Sequence, residues 1–318
     1  MKKFNVKLSD IVPFIAFIVI FAFFTIASGG RMLNAYNLKQ LLNQSLVTIV
    51  VGCGMLFVVA QGSIDLSVGV NLALSGVIAT YVANAVGAWA FIPCALIVGG
   101  VVGVFNGIVV SRFKVSSFML TIAMLIGLRG VINFIQSNLA TSTGNGAQYI
   151  PASLRLIASN SLRIPLFLAV VAVMAYIFEF TKLGRYSKAI GENETAAKYV
   201  GVPVKRIKLA AFVVSGILAG VGAIFSVTSL GGTSQTMGVF LEMQVAMAIF
   251  LGGVLVTGGT TAKIYKVVLG SLSITLIVNG LAVIGKAESH ISQSVEGILL
   301  IAILFITILV NNRRVRAK

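Results

Sequence analysis

Long apolar runs constrain the fold of this chain more than any other feature of its sequence. A helix needs about 20 mostly apolar residues to cross the roughly 30 Å hydrocarbon core of a bilayer. About ten such segments can be placed along the 318 residues, at approximately 11–28, 41–60, 67–85, 88–110, 116–136, 164–181, 209–230, 241–259, 264–285 and 293–310. The sequence therefore predicts an all-α, polytopic membrane protein in which residues 1–318 form a single transmembrane domain.

The distribution of charge supports this interpretation and predicts an orientation. Only 10% of the residues are charged, against about 25% in an ordinary soluble domain. With a cytoplasmic N-terminus, eighteen Lys and Arg residues fall inside, five fall outside, and Arg129 lies within a span. This asymmetry follows the positive-inside rule and predicts that both termini are cytoplasmic. It also accounts for the net charge of +16 without nucleic acid binding, because basic and aromatic residues do not interleave on a soluble face.

The longest polar interval between two apolar runs covers residues 182–208 and falls on the cytoplasmic side. A helix of about two turns is predicted within it, because Asn193 can cap it, Glu194 lies in its first turn, Gly201 can close it and Pro203 forbids its continuation. So short a helix needs a packing partner. Two interpretations are open: the helix inserts into another protein, or it is an amphipathic connector that rests on anionic lipid headgroups.

Asp65 is an acidic residue at membrane depth, in the sequence Gln61-Gly-Ser-Ile-Asp-Leu-Ser-Val-Gly69 between the second and third predicted spans. A charge at the centre of a span costs about 2.5 to 3.5 kcal/mol on insertion scales, and such residues mark a pathway or a capped break. Asp65 either caps the following helix through the amides of Ser67 and Val68 or contacts a solute. Gly62 permits a broken helix in both cases.

Small and polar residues also recur inside the predicted spans. The glycines predict close helix packing; they are Gly99, Gly100, Gly103, Gly107, Gly216, Gly220 and Gly222. The polar residues either bond neighbouring helices, for about 0.6 kcal/mol each, or line a route for a neutral hydroxylated solute; they are Asn71, Ser75, Asn106, Thr121, Asn133, Ser271, Thr275 and Asn279. Arg129 is expected to reach the outer interface by snorkelling. Intramembrane acids aligned as a proton relay are missing, which disfavours a stand-alone secondary transporter or channel.

Enzyme chemistry finds no support in the sequence. The single histidine, His290, cannot build a usual zinc site, and Cys53 and Cys94 lie in apolar runs without a metal ligand at the required spacing. Nucleotide-binding and hydrolase motifs are absent. No catalytic residue, metal or resident cofactor is therefore predicted in this chain, and any ATP must be bound by another chain.

Five motifs in order resemble those of a known family, the transmembrane permease subunits of bacterial ribose-type ABC importers, which carry monosaccharides and related solutes. Gly62–Gly69 resembles G-G-I-D-L-S-V-G, with Ser63 for the second glycine, and Gly103–Gly107 resembles G-x-x-N-G. The other matching positions are Phe118, Thr121, Arg129 and Gly130, where Ser116 replaces a proline; Gly184 through Gly201; and Glu242 with Ala248–Gly253. The chain departs from the family's motifs at Gln244, at residues 258–263 and at Glu296.

The resemblance implies a permease of the bacterial inner membrane that takes up a small sugar such as ribose, with a nucleoside or a furanose signal molecule as alternatives. Its implied partners are a cytosolic ATPase that holds ATP and Mg, an extracytoplasmic binding protein, a second permease copy or paralogue, and membrane lipid. The resemblance also implies that residues 182–208 are the loop that couples the permease to the ATPase. Contacts with the ATPase are expected at Gly191, Glu192, Asn193, Glu194, Ala196, Ala197, Lys198 and Gly201. The translocation path is expected to include Asp65, Asn71, Asn106, Phe118, Thr121 and Asn279.

Overall fold

The described part of the chain is helical throughout. The computed structural model describes residues 8–143 and 147–285, together with 294, 295, 297–299, 301, 302 and 305. The helices are α1 Leu8–Ala27, α2 Ala35–Val59, α3 Val68–Val86, α4 Phe91–Phe113, α5 Ser117–Thr143, α6 Asn160–Phe180, α7 Lys182–Glu192, α8 Glu194–Tyr199, α9 Val204–Leu230, α10 Leu241–Leu251 and α11 Ile264–Val283. Within these residues, β pairing is limited to one bridge between Tyr149 and Gly232. The predicted all-α fold is confirmed.

Seven of these helices are long and apolar enough to cross a bilayer, namely α2 to α6, α9 and α11. In α1 the apolar helical part, Pro13–Ala27, is shorter. The predicted last span, 293–310, lies for the most part outside the described residues, as do Glu288, His290 and Glu296. The structure thus agrees with a multi-pass membrane protein, and the count of ten spans stays a prediction.

Helix α10 corrects the predicted span 241–259. It has eleven residues, which is about 17 Å of helix and half of what a bilayer requires. The chain then turns through 252–263 and enters α11, which packs closely against α10. A Cβ on Gly252 would overlap the carbonyl of Lys266, and one on Gly270 the carbonyl of Ala248. The interruption is tolerated because neighbouring protein covers the exposed backbone.

Glycine contacts pack α9 closely against α4. A Cβ on Gly216 would overlap the carbonyl of Gly99, one on Gly103 that of Phe212, and one on Gly220 that of Ala95. The close packing predicted for the glycines is confirmed at these positions. Gly100 differs, because a Cβ there would meet only a side-chain atom of Ile217 at 3.5 Å, which is ordinary contact.

The helices divide into a buried centre and an exposed periphery. In α2, 78% of the most apolar stretch is buried, but in α5 and α6 the share is only 11%. The outer faces of α5 and α6 are therefore apolar surfaces that the described chain leaves uncovered.

Candidate functional site

Helix α8 is the short capped helix predicted within residues 182–208. The Asn193 side chain accepts a hydrogen bond from the Ala196 amide at 2.9 Å, and Gly201 has a left-handed φ of 85°. The predicted caps are confirmed. Helix α7, which has eleven residues and precedes α8, was not predicted from the sequence. The missed signal is the helical spacing of Leu183, Tyr186 and Ile190, which the surrounding polar residues obscured.

The predicted ATPase contacts on α8 divide between two faces. Ala197 is only 4% exposed and packs with Ile190 and Val202 in a small apolar cluster. Tyr199 and Val200, which the sequence prediction did not include, are 87% and 80% exposed. Ala197 therefore anchors α8 to its own chain. The surface available to a partner, here called the α8 outer face, consists of the exposed residues 194–196 and 198–200.

Gly191 and Glu192 contact the transmembrane bundle. A Cβ on Gly191 would overlap the carbonyl of Ala60, and that carbonyl accepts from the Gly259 amide at 2.9 Å. Glu192 Oε1 accepts from the Thr260 amide at 2.8 Å and from its hydroxyl at 2.7 Å. These contacts, here called the junction, connect the end of α7 both to the end of α2 and to the turn between α10 and α11.

A second bond beside the junction ties the same elements together. Gln61 Nε2 donates to Ser187 Oγ at 2.9 Å, which links the segment after α2 to the middle of α7. Gln61 is 7% exposed and Ser187 is fully buried, so this bond is shielded from water. Movement of α7 must therefore be transmitted to the end of α2 or break buried bonds.

A cleft of about 1060 Å³ opens beside α8. It lies between the end of α4, the start of α5 and residues 194–208. Its basic residues are Lys114, Lys198, Lys205, Arg206 and Lys208. The acid in its lining, Glu194, is paired with Lys208 at 2.7 Å. The cleft thus carries an excess of positive charge, which favours an acidic partner surface or anionic lipid.

Asp65 is bonded on both of its oxygens and is 2% exposed. Oδ1 accepts from the Ser67 amide at 3.0 Å and from the Ser67 hydroxyl at 2.6 Å. Oδ2 accepts from Ser215 Oγ on α9 at 2.8 Å. Asp65 therefore joins the segment before α3 to α9. Of the two amides expected to bond it, that of Ser67 does so, but Ser67 itself is the N-cap residue of α3. Gly62 takes the left-handed φ of 72° that the helix break needs.

Replacing Asp65 with asparagine is expected to change stability far less than replacing it with alanine. Asparagine keeps one acceptor for Ser67, and the Ser215 hydroxyl can turn to accept from the new amide. Alanine removes every acceptor, and an unsatisfied buried donor costs about 1 to 3 kcal/mol. Thermal unfolding of the purified variants measures the difference. A D65N protein that unfolds like the wild type but takes up no solute would assign Asp65 to the translocation path instead.

Of the other predicted path residues near the helix break, Asn106 and Asn71 bond neighbouring elements, and Thr121 bonds within its own helix. Asn106 Nδ2 donates to Ser67 Oγ at 2.9 Å, and Asn71 Nδ2 donates to the Gly99 carbonyl at 3.2 Å. Thr121 Oγ1 donates to the Ser117 carbonyl at 2.8 Å and lies 3.4 Å from that of Ile64. The structure therefore gathers Asp65, Asn106 and Thr121 around residues 64–67, with Asn71 one turn into α3.

Of the two remaining path residues, Phe118 adjoins this group, since its carbonyl lies 3.4 Å from Thr121 Oγ1, and Asn279 lies on another helix. Phe118 is 50% exposed in the first turn of α5. Asn279 lies on α11, which packs mainly on α1, α2 and α10, and its Oδ1 has no hydrogen-bond partner among the described residues. The roles of the six predicted residues in a path stay predictions.

Arg129 bonds the segment that precedes α10, a contact that the sequence did not predict. Arg129 was expected to snorkel to the outer interface; in the structure its Nη1 donates to the Met237 carbonyl at 3.0 Å. Glu242 begins α10 and is 6% exposed. A Cβ on Gly69 would overlap its Oε2, and that oxygen has no partner within the described residues. The motif that contains Glu242 marks this residue in the sequence, but it does not indicate what surrounds its side chain.

The chain is similar to known permeases over most of its length. The sequence profile of a family described as "Branched-chain amino acid transport system / permease component" matches residues 37–307. The ribose import permease protein RbsC of Haemophilus influenzae is 29% identical over 295 residues, which cover 92% of this chain and 91% of that protein.

Two further relatives show similar coverage. The D-allose transport system permease protein AlsC of Escherichia coli is 31% identical, over 89% of this chain and 87% of its own length. The L-arabinose ABC transporter permease protein AraH of Azospirillum brasilense is 30% identical, over 94% of this chain and 87% of its own length. No solved structure matches this chain.

Proposed function

Because the chain belongs to the family described as the permease component of branched-chain amino acid transport systems, we propose that it forms the translocation path of an ATP-binding-cassette importer for a small sugar. The observation that carries the proposal is similarity over nearly the whole length of permeases named for ribose, D-allose and L-arabinose. These solutes are neutral and polyhydroxylated, and they require hydrogen-bonding groups rather than charges along their route.

The proposed topology has about ten spans and places both termini in the cytoplasm, across the bacterial inner membrane. The positive-inside distribution of Lys and Arg supports this orientation. Five basic residues gather around the cleft beside α8, and a cytoplasmic position for that cleft agrees with the same rule. Residues 182–208 then face the cytosol.

A separate cytosolic ATPase, which holds ATP and Mg, is proposed to dock on the α8 outer face. Support comes from the exposure of Tyr199, since tyrosine is enriched among the residues that dominate binding energy at interfaces, and from the exposure of Val200 beside it. A displacement of α8 would be transmitted to α7 and, through the junction, to α2 and to the turn before α11. Asn193 and Gly201 shape the docking helix, and Gly191, Glu192 and Ala197 hold it in place.

The remaining partners complete the proposed importer. A second permease, either a copy or a paralogue, and membrane lipid would cover the apolar outer faces of α5 and α6. An extracytoplasmic binding protein would deliver the sugar at the opposite end of the bundle. The path is proposed to run past the break at residues 64–67, where solute would replace the bonds of Asp65, Asn106 and Thr121 once the helices separate.

Reconstitution in proteoliposomes tests this proposal. Uptake of labelled ribose, D-allose or L-arabinose is expected only when ATP, a cytosolic ATPase and an extracytoplasmic binding protein of the same importer are all present. An ATPase variant that binds but does not hydrolyse ATP is the control and is expected to give no uptake. Uptake by this chain alone would contradict the importer and favour a stand-alone transporter. ATP-dependent uptake of a nucleoside but of no sugar would keep the importer and overturn the solute.

A further inference from the structure

A second pocket, of about 380 Å³, lies at the end of the bundle opposite to α8. The first turns of α2 and α6 and the last turn of α9 form it. Its polar lining includes Tyr36, Lys39, Gln40, Asn43, Arg163 and Ser229. The function proposed above uses none of these residues.

Arg163 is a buried cation with unused hydrogen-bond donors. The residue is 2% exposed. Its Nη1 donates to Asn43 Oδ1 at 2.7 Å and to Ser229 Oγ at 3.2 Å. Its Nε and Nη2 have no hydrogen-bond partner anywhere in the described chain. These two nitrogens form one edge of the guanidinium fork, and that edge matches two oxygens of a phosphate or a carboxylate.

The charge of the pocket also calls for an anion. Lys39 adds a second positive charge, and the lining includes no acidic residue of the described chain. A buried guanidinium without a counter-ion is costly, because it has lost its hydration without a compensating partner. Both free nitrogens are themselves buried, so a bound anion would neutralise the charge from the pocket and would accept from these N–H groups once the Arg163 side chain turns toward it.

The two long helices that line the pocket also expose apolar side chains on their other faces. On α2, Leu38 and Leu42 are 42% and 37% exposed. On α6, Leu162 and Leu166 are 56% and 43% exposed. Tyr36 at the pocket is 73% exposed, and aromatic residues of this kind mark the level of the headgroups. The anion that suits this place therefore carries apolar chains.

We propose that this pocket binds the phosphate group of a membrane phospholipid, with Arg163 and Lys39 contacting the phosphate and the acyl chains lying along the leucines of α2 and α6. The phosphate would bridge α2, α6 and α9 through Arg163 and its two bonded neighbours. Free inorganic phosphate has the same recognition chemistry, so the test must separate the two sources.

The experiment measures lipid retention by native mass spectrometry on the delipidated full chain, with phosphatidylglycerol as the probe and diacylglycerol of the same acyl chains as the phosphate-free comparison. Wild type is expected to retain phosphatidylglycerol, and R163Q to bind it about tenfold more weakly, since hydrogen bonds to charged groups are lost. K39Q is expected to show a smaller loss. R155Q is the matched control, because Arg155 is exposed nearby but does not line the pocket.

Thermal unfolding supplies the second measurement and separates the sources. Added phosphatidylglycerol is expected to raise the Tm of wild type and R155Q but not of R163Q, and R163K replaces R163Q if the latter does not fold. Equal retention of phosphatidylglycerol by wild type and the Arg163 variant, or equal retention of diacylglycerol and phosphatidylglycerol, would overturn the site. An Arg163-dependent rise in Tm with inorganic phosphate, without lipid binding, would overturn the phospholipid as its source.

Discussion

Replacing Gly216 with alanine is expected to destabilise the protein strongly, although it adds only one methyl group. A Cβ at this position would overlap the carbonyl of Gly99 and would come within 2.8 Å of the Gly103 Cα. Backbone atoms cannot turn aside as a flexible side chain can, so α4 and α9 must separate along their contact. Overpacking of this kind costs typically about 1 to 3 kcal/mol and occasionally more. Thermal unfolding in detergent and the yield of folded protein measure the effect.

Gly100→Ala is the matched control for that variant. It adds the same methyl group on the α4 side of the contact, but the nearest heavy atom is a side-chain carbon of Ile217 at 3.5 Å. G100A is expected to unfold close to the wild-type Tm. Equal Tm values for G216A and G100A would show that the glycine contact between α4 and α9 does not limit stability.

Replacing Val200 with aspartate is expected to abolish ATP-driven uptake without unfolding the protein. Val200 is 80% exposed at the end of α8, so a charge there stays hydrated in the free permease but is buried unpaired when an ATPase docks. A hot-spot loss of about 2 kcal/mol or more corresponds to at least tenfold weaker docking. ATPase stimulation, solute uptake and Tm are measured on the same reconstituted preparation.

Ala197→Asp separates docking from the support of the docking helix. Ala197 is 4% exposed among Ile190 and Val202, so this aspartate is buried in the free protein and is expected to lower the stability of α8 as well as uptake. V200D is expected to lower uptake alone. Normal uptake by V200D would show that the ATPase does not use the α8 outer face.

The outcome for α7 and α8 shows what local sequence signals can predict. The start and end of α8 follow from Asn193 and Gly201, which act on backbone groups within a few residues, and these positions were predicted. The face of α8 that is buried depends on α7 and on Val202. Because α7 was not predicted, the sequence did not assign Ala197 to the inner face of α8 or Tyr199 to its outer face.

The end of α10 was mispredicted for a related reason. Hydropathy reports whether residues avoid water, and residues 241–259 do so throughout most of their length. It does not report whether they form one helix or a short helix followed by a turn. That choice depended on α11. Gly270 lets the backbones of α10 and α11 approach closely, and α11 then protects the broken end of α10 from lipid.

The sequence by itself determined the all-α class and the seven helices long enough to span a membrane, because these follow from hydropathy. It also determined the caps of α8 and the glycine positions where helices approach, because these follow from capping and from side-chain size near one position. Only the tertiary structure decided how the polar side chains pair. Ser215 bonds Asp65 across 150 positions, Ser187 bonds Gln61 across 126, and Arg163 bonds Asn43 across 120. Buried polar groups have no water to satisfy them, so their partners are set by which helices become neighbours. The unfilled donors of Arg163, which motivate the proposed phosphate site, are visible only after that assignment is made.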